Sequence, residues 1–190
     1  FCSLTFFLGT LLAGGVVLIL RPDLLNRLVD VEPWLSTAIG ASLLWLVGLY
    51  VFGSWRHFAP MHIGKWHIVY PRLPIVGRQL LAAPLELACA AAIIYFALPE
   101  AQTPGYLVVL GVFLASFSLA LLSHAPGGLG VLEVTFLAAV PELPTADVLA
   151  ALIVFRVFYL LLPLALAILV VAVFEATQWS ERRRKGSLGP

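Results

Sequence analysis

Five stretches of this chain, residues 1–20, 35–52, 80–98, 106–122 and 148–174, run for 17 to 27 residues with at most one charged side chain each. An α-helix rises 1.5 Å per residue, so about 20 apolar residues cross the ~30 Å hydrocarbon core of a bilayer. Runs of this length constrain the fold more than any other feature of the sequence. They predict an all-α, polytopic transmembrane helix bundle, since the bilayer serves as solvent for the outer faces of the helices. Composition agrees. Hydrophobic residues make up 62% and charged residues 11% of the 190 residues, against about 25% charged in soluble domains, and the mean hydropathy is +1.03. The last run contains Arg156 and Pro163 and would measure about 40 Å as a straight helix, so a tilt or a bend at Pro163 is expected. An apolar run is already under way at Phe1, with no initiator Met, and the sequence is read as a piece whose earlier spans are missing. Residues 1–20 lack the basic leading region and small-residue cleavage site of a signal peptide.

Between the fourth and fifth runs lies a shorter apolar stretch, 129–140. At about 18 Å of helix it cannot cross alone. Pro126-Gly127-Gly128-Leu129-Gly130 precedes it and Pro141-Glu142-Leu143-Pro144 follows it, and both flanks are helix breakers. Loop charges point to the same irregularity. Residues 53–79 hold Arg56, Lys65, Arg72 and Arg78, and the tail 181–190 holds Arg182, Arg183, Arg184 and Lys185, so both are expected on the cytoplasmic side. The connections 21–34, 99–105 and 141–147 carry mainly acids and are expected outside. This parity requires the chain to return across the membrane between residues 122 and 141. The stretch 129–140 is therefore expected to be a half-helix that completes a crossing begun by irregular backbone. Trp34, Trp55, Trp66, Tyr70 and Trp179 fall near run ends, where aromatic side chains favour the interface. Residues 55–80 suit either a segment lying on the inner membrane surface or an unstructured loop. Thr10-x-x-x-Gly14, Ser36-x-x-x-Gly40 and Gly111-x-x-x-Ala115 have the spacing of close helix contacts, a spacing common by chance in apolar sequence.

A glycine-rich turn at membrane depth needs its backbone polar groups buried in protein or facing a wet cavity. The turn at Pro126, Gly127, Gly128 and Gly130 therefore implies either such a cavity or a packing turn between helices. At a cavity, the free amides and the positive dipole end of the following half-helix would suit an anion such as a phospholipid phosphate. Glu133 sits in the first turn of that half-helix. Ionisable residues inside a membrane usually face the protein interior and find a partner, and Arg156 is the expected partner. Leu149, Leu152, Ile153, Tyr159 and Leu160 share its helical face. Such a pair either only fixes helix packing or takes part in binding, with Arg156 on a phosphate and Glu133 balancing it or receiving a cationic head group. Glu86, beside Pro84, is a further candidate, with snorkelling to the interface as its plain explanation. His124 either donates to a nearby carbonyl or serves as a ligand or relay.

Other function classes find no support. A net charge of +1 leaves no basic footprint for nucleic acid. Cys2 and Cys89 are expected to be small buried hydrophobes, without a disulfide framework or metal-ligand spacing. The four histidines lack a zinc spacing, and there is no nucleophile elbow at Ser123-His124, no P-loop and no dinucleotide fingerprint. No catalytic residue, metal or cofactor is therefore expected, and a transporter-like role is preferred to an enzymatic one.

The segment Ser123-His124-Ala125-Pro126-Gly127-Gly128-Leu129-Gly130-Val131-Leu132-Glu133, with Arg156, Tyr159 and Pro163 in Phe155 to Leu164, resembles the lysylphosphatidylglycerol synthase transmembrane family, as do Thr5 to Gly9 and Leu73-Pro74. This is the flippase-like domain found alone or in the multiple peptide resistance factor. The resemblance spans nearly the whole chain and makes residues 1–180 the C-terminal part of such a domain, followed by a basic cytoplasmic tail at 181–190. It implies movement of aminoacylated phosphatidylglycerol, or a related lipid, from the inner to the outer leaflet of a bacterial cytoplasmic membrane, which lowers sensitivity to cationic antimicrobial peptides. It also implies a synthase domain or a second copy as possible partners, and it puts Glu133 and Arg156 foremost among the site residues. A membrane scaffold for a lipid-modifying enzyme, and a small-solute transporter built on a broken helix, are the alternatives that the residues leave open.

Overall fold

The computed structural model describes residues 2–27, 29, 31–56, 61–63, 66–68, 73–99, 104–123 and 130–186, with side chains for all of these except 2–4, 61–63, 66–68, 176 and 179–186. Among the described residues there are seven α-helices. They are α1 (Cys2–Leu20), α2 (Pro33–Trp55), α3 (Leu73–Ala97), α4 (Tyr106–Leu122), α5 (Val131–Ala139), α6 (Thr145–Arg156) and α7 (Leu162–Gly186). A 3-10 turn (Leu25–Arg27) follows α1, and a π-helical turn (Val157–Leu161) joins α6 to α7. The protein is thus an all-α helical membrane bundle. Three of its helical stretches, Pro33–Trp55, Leu73–Ala97 and Thr145–Glu175, are long and apolar enough to cross a bilayer, and Thr5–Leu20 and Tyr106–Leu122 are shorter apolar helices.

Prolines set most of the helix boundaries. Arg21 N–H still bonds Val17 O at 2.8 Å, after which Pro22 cannot continue the ladder of α1. Pro33 opens α2 at a position where its missing N–H costs nothing. Leu98 N–H bonds Ile94 O at 3.1 Å, and Pro99 then ends α3. Pro144 stands before α6, whose first turn carries Asp147 against the positive end of the helix.

Small residues bring α1 against its neighbours. A Cβ at Gly40 would stand 2.9 Å from Gly15 O, and one at Gly9 would stand 2.5 Å from Ala83 Cβ. Such positions admit only a hydrogen, so the backbones of α1, α2 and α3 approach closely. Gly111 of α4 lies beneath the side chains of Leu24 and Val17, which would overlap an added Cβ. Ser36-x-x-x-Gly40 and Gly111-x-x-x-Ala115 thus contain contact positions, whereas Gly14 has Leu43 Cδ1 at 4.0 Å and room to spare. The core lies between α3, α4, α5 and α6, where Ile94, Val109, Val112, Phe113, Phe136, Leu152 and Phe155 are buried.

Three connections gather at one end of the bundle. Arg27 Nη1, after α1, donates to Glu142 Oε1 at 2.6 Å, between α5 and α6. Arg21 Nη2 would stand 3.6 Å from a Cβ at Gly105, between α3 and α4. Helix α4 therefore leaves this end at Gly105 and the chain is back at it by Glu142. Helix α5, nine residues long and about 14 Å, forms the returning half.

Several expectations are corrected. Helix α3 starts at Leu73, seven residues before the apolar run, so Arg78 belongs to a helix and the connection from α2 is shorter than 53–79. That connection contains a hairpin, Met61–Ile63 paired antiparallel with Trp66–Ile68, in place of an unstructured loop. Its signal was present in the sequence: alternating triplets flank the dipeptide Gly64-Lys65, a hairpin pattern. The half-helix begins at Val131 and ends at Ala139, inside the expected 129–140. The last helix does not stop before the basic tail, since α7 runs to Gly186. Cys89 is exposed rather than buried, because in a membrane chain the outward helix face is as apolar as the core. The residues Pro126, Gly127, Gly128 and His124, and the side chain of Cys2, lie outside the described ones.

Candidate functional site

The deepest polar groups come from three different helices. Measured along the helices from the end where the three connections meet, Val131 of α5, Arg156 of α6 and Glu86 of α3 each lie about 14–17 Å in, close to the middle of a ~30 Å hydrocarbon layer. Three elements of separate sequence thus bring their chemistry to one level. The reason is positional. Glu86 lies eleven residues before the end of α3, Arg156 is the twelfth and last residue of α6, and α5 is only nine residues long.

Gly130 opens α5 with φ +85° and ψ −45°, a backbone conformation that only glycine adopts at little cost. It has no side chain, so the reciprocal half of a capping box is absent. The half that exists is the donation of Gly130 N–H to Glu133 Oε2 at 2.8 Å, which satisfies one of the amides that a helix start leaves without an intrahelical partner. The other oxygen, Glu133 Oε1, lies 2.6 Å from Arg156 Nη2, and both side chains are about one-fifth exposed. This approach is ionic more than directional, because Arg156 Nη2 is buried yet makes no aligned hydrogen bond. Glu133 therefore ties the start of the half-helix to the last residue of α6.

One residue further the chain leaves α-helical geometry. Val157–Leu161 forms a π turn closed by Leu162 N–H on Val157 O. Pro163 explains it: with no N–H to donate and a ring that collides with the carbonyl four residues back, it is accommodated by a wider turn ahead of it. The strain expected from Pro163 thus takes the form of a π turn. Within this turn Tyr159 donates its hydroxyl to Glu86 Oε1 at 2.9 Å, and its ring stacks on Phe155 with centroids 5.1 Å apart. Phe155 meets Phe113, Phe113 meets Phe117, and Phe117 meets Phe6 of α1, each pair 5.4 Å apart.

The structure therefore brings Gly130, Glu133 and Arg156 together and, beside Arg156 in sequence, Tyr159 and Glu86. Sequence reading missed the aromatic series, since Phe residues in apolar runs carry no pattern that separates them from ordinary core. Among the described residues no group of three His, Cys, Asp or Glu side chains could hold a metal.

No family model matches the chain. It is similar to the uncharacterized protein slr0712 of Synechocystis sp., with 31% identity over 191 residues that cover 98% of this chain and 58% of that protein. It is also similar to the inner membrane protein YbhN of Escherichia coli, with 30% identity over 178 residues that cover 90% of this chain and 54% of that protein. This chain is a membrane protein. Both likenesses run through nearly all of it, and it spans somewhat more than half the length of either relative.

Proposed function

We propose that the chain forms part of a lipid translocation pathway of the lysylphosphatidylglycerol synthase transmembrane type, moving aminoacylated phosphatidylglycerol or a related phospholipid from the inner to the outer leaflet of a bacterial cytoplasmic membrane. The observation that carries this reading is the Glu133–Arg156 pair, 2.6 Å apart, at a half-helix start near the membrane midplane. A half-buried guanidinium whose Nη2 is unaligned is suited to a phosphate, for which it offers a planar fork of donors. Glu133 competes with that phosphate and so keeps the site neutral between visits. Glu86, held by Tyr159, supplies a carboxylate for an ammonium group of the same lipid. The resemblance in sequence assigns Pro126, Gly127, Gly128 and His124 to the same proposed site. The pairing of a broken helix with opposite charges at mid-depth follows the plan of transporters whose substrates meet half-helix ends. Under this reading the 53–79 connection and the C-terminus are cytoplasmic, no cofactor is used, and any lipid synthesis resides in a domain outside this chain.

The test is reconstitution of the full-length protein in liposomes with lysyl-phosphatidylglycerol in one leaflet, followed by its appearance in the other. Glu133→Gln and Arg156→Ala should each abolish transfer while the protein remains folded. Unchanged transfer in both would remove the site. The second reading, a scaffold for a lipid-modifying enzyme, is favoured by Glu133 also serving as a helix cap. It predicts lower thermal stability in both variants with no change in lipid distribution.

A further inference from the structure

A cavity of about 690 Å3 lies between α1 and α4, away from the charged pair. Phe6, Phe7, Gly14 and Leu18 of α1 face Gly111, Ala115 and Leu122 of α4 across it, with Leu43 of α2 at the side. Its two hydroxyls, Thr10 and Ser118, are turned back onto their own helices, donating to Phe6 O at 3.1 Å and Leu114 O at 2.7 Å. The lining thus offers an occupant no spare hydrogen-bond donor. One end is closed by Val17, Leu24 and Gly111, which are packed tightly together. The other opens between Phe7, Leu121 and Leu122, all at least half exposed. Along α4 from Gly111 to Leu122 the cleft is about 16 Å long, the hydrocarbon depth of one leaflet, which is about half of 30 Å.

We infer that this blind cleft binds one acyl chain of a bilayer lipid, inserted from the Phe7–Leu122 end. The competing occupant is a helix from elsewhere in a longer protein. The cavity volume of 690 Å3 falls within the ~300–1,000 Å3 range of pockets that hold one small ligand, and the labelling pattern separates the two occupants. A dry apolar cleft that opens at the edge of a leaflet fills from the tails beside it. Phe6 connects it to the charged level through Phe117, Phe113, Phe155 and Tyr159. The inference requires only that the bundle sits in a membrane and does not depend on lipid being translocated.

The experiment uses the full-length protein in lipid nanodiscs doped with phosphatidylglycerol that carries a photoreactive group at the end of one acyl chain, with crosslinks mapped by mass spectrometry. The cleft residues Ala115 and Ser118 should label above the level of Val170 and Val171 on the exposed helix α7. Gly14→Leu, which has space for the added side chain, and Ala115→Leu should each lose the cleft label and keep the α7 label. The label should persist in Arg156→Ala, which separates this result from the fate of the translocation reading. Equal labelling of cleft and α7 would overturn the inference, as would cleft labelling unchanged by both filling variants. A cleft unlabelled in the wild-type protein would assign it to another helix and overturn it too.

Discussion

At Gly130 a single hydrogen atom decides the local path. Its φ of +85° disfavours any L side chain, yet no atom of the described residues lies within 4 Å of where a Cβ would stand. Substitution therefore strains the backbone without a clash. Gly130→Ala should cost about 1–3 kcal/mol, read as a fall in thermal midpoint, with no change in the packing of α4. A larger Gly130→Val loss that also loosens α4 would mean the position is crowded and the conformational account wrong. Glu133 inherits its role from this turn, since its carboxylate reaches the Gly130 amide and the Arg156 guanidinium at once. That pair was legible in the sequence because an acid and a base inside apolar runs each need a partner, and the two stood at similar depth. The Tyr159–Glu86 bond was not, because it depends on a π turn that re-aims Tyr159 by widening the helix ahead of Pro163.

At the scale of elements, the spans were readable from charge-free length and their ends from proline. The reading failed where a helix continues past the apolar run, as α3 does at Leu73–Gln79 and α7 through its basic end. Hydropathy marks what suits lipid, while the hydrogen-bond ladder continues into polar sequence until something stops it. The glycine spacings looked ordinary in the sequence, and the packing shows which of them bear contacts. Gly15 and Gly40 face each other so closely that either Cβ would come within about 3 Å of the other backbone oxygen. Gly40→Leu should separate α1 from α2 and lower the yield of folded protein, whereas Gly48→Leu on the same helix, with nothing within 4 Å, should be tolerated. Thermal unfolding in detergent compares the two directly, and equal behaviour would contradict the close crossing.

For the whole molecule, one surface ion pair holds two distant connections together at the end where three of them meet. Glu142 titrates below its ordinary value of 4.5, first through a hydrogen bond from its own backbone amide, with burial opposing that shift and the hydrogen bond and charge of Arg27 adding to it. A depressed carboxyl contributes its stabilisation in full above the unfolded value and loses it as the pH falls through the folded one. The wild-type protein should therefore exceed Glu142→Gln in stability at pH 7 by less than about 1 kcal/mol, as exposed pairs do. The difference should vanish below the folded value, at acid pH, in melts of the two proteins across the range. Helix α7 contributes little to this assembly, since its side chains from Leu162 to Glu175 are exposed all round. The charged level and the apolar cleft lie instead within the packed bundle of α1 to α6.

The central claim is that Arg156 faces a wet space at mid-membrane and that its charge is used there. With the cysteines of the full-length protein, Cys2 and Cys89 among them, replaced by Ser, Arg156→Cys can be treated in membranes with a water-soluble, membrane-impermeant thiol reagent that attaches an ammonium group, and lipid transfer can be measured before and after. The account predicts that Cys at position 156 reacts, that Cys at position 153, exposed but facing acyl chains, does not, and that the restored positive charge recovers transfer. An inert position 156, or a reaction there that leaves transfer unrestored, would contradict it.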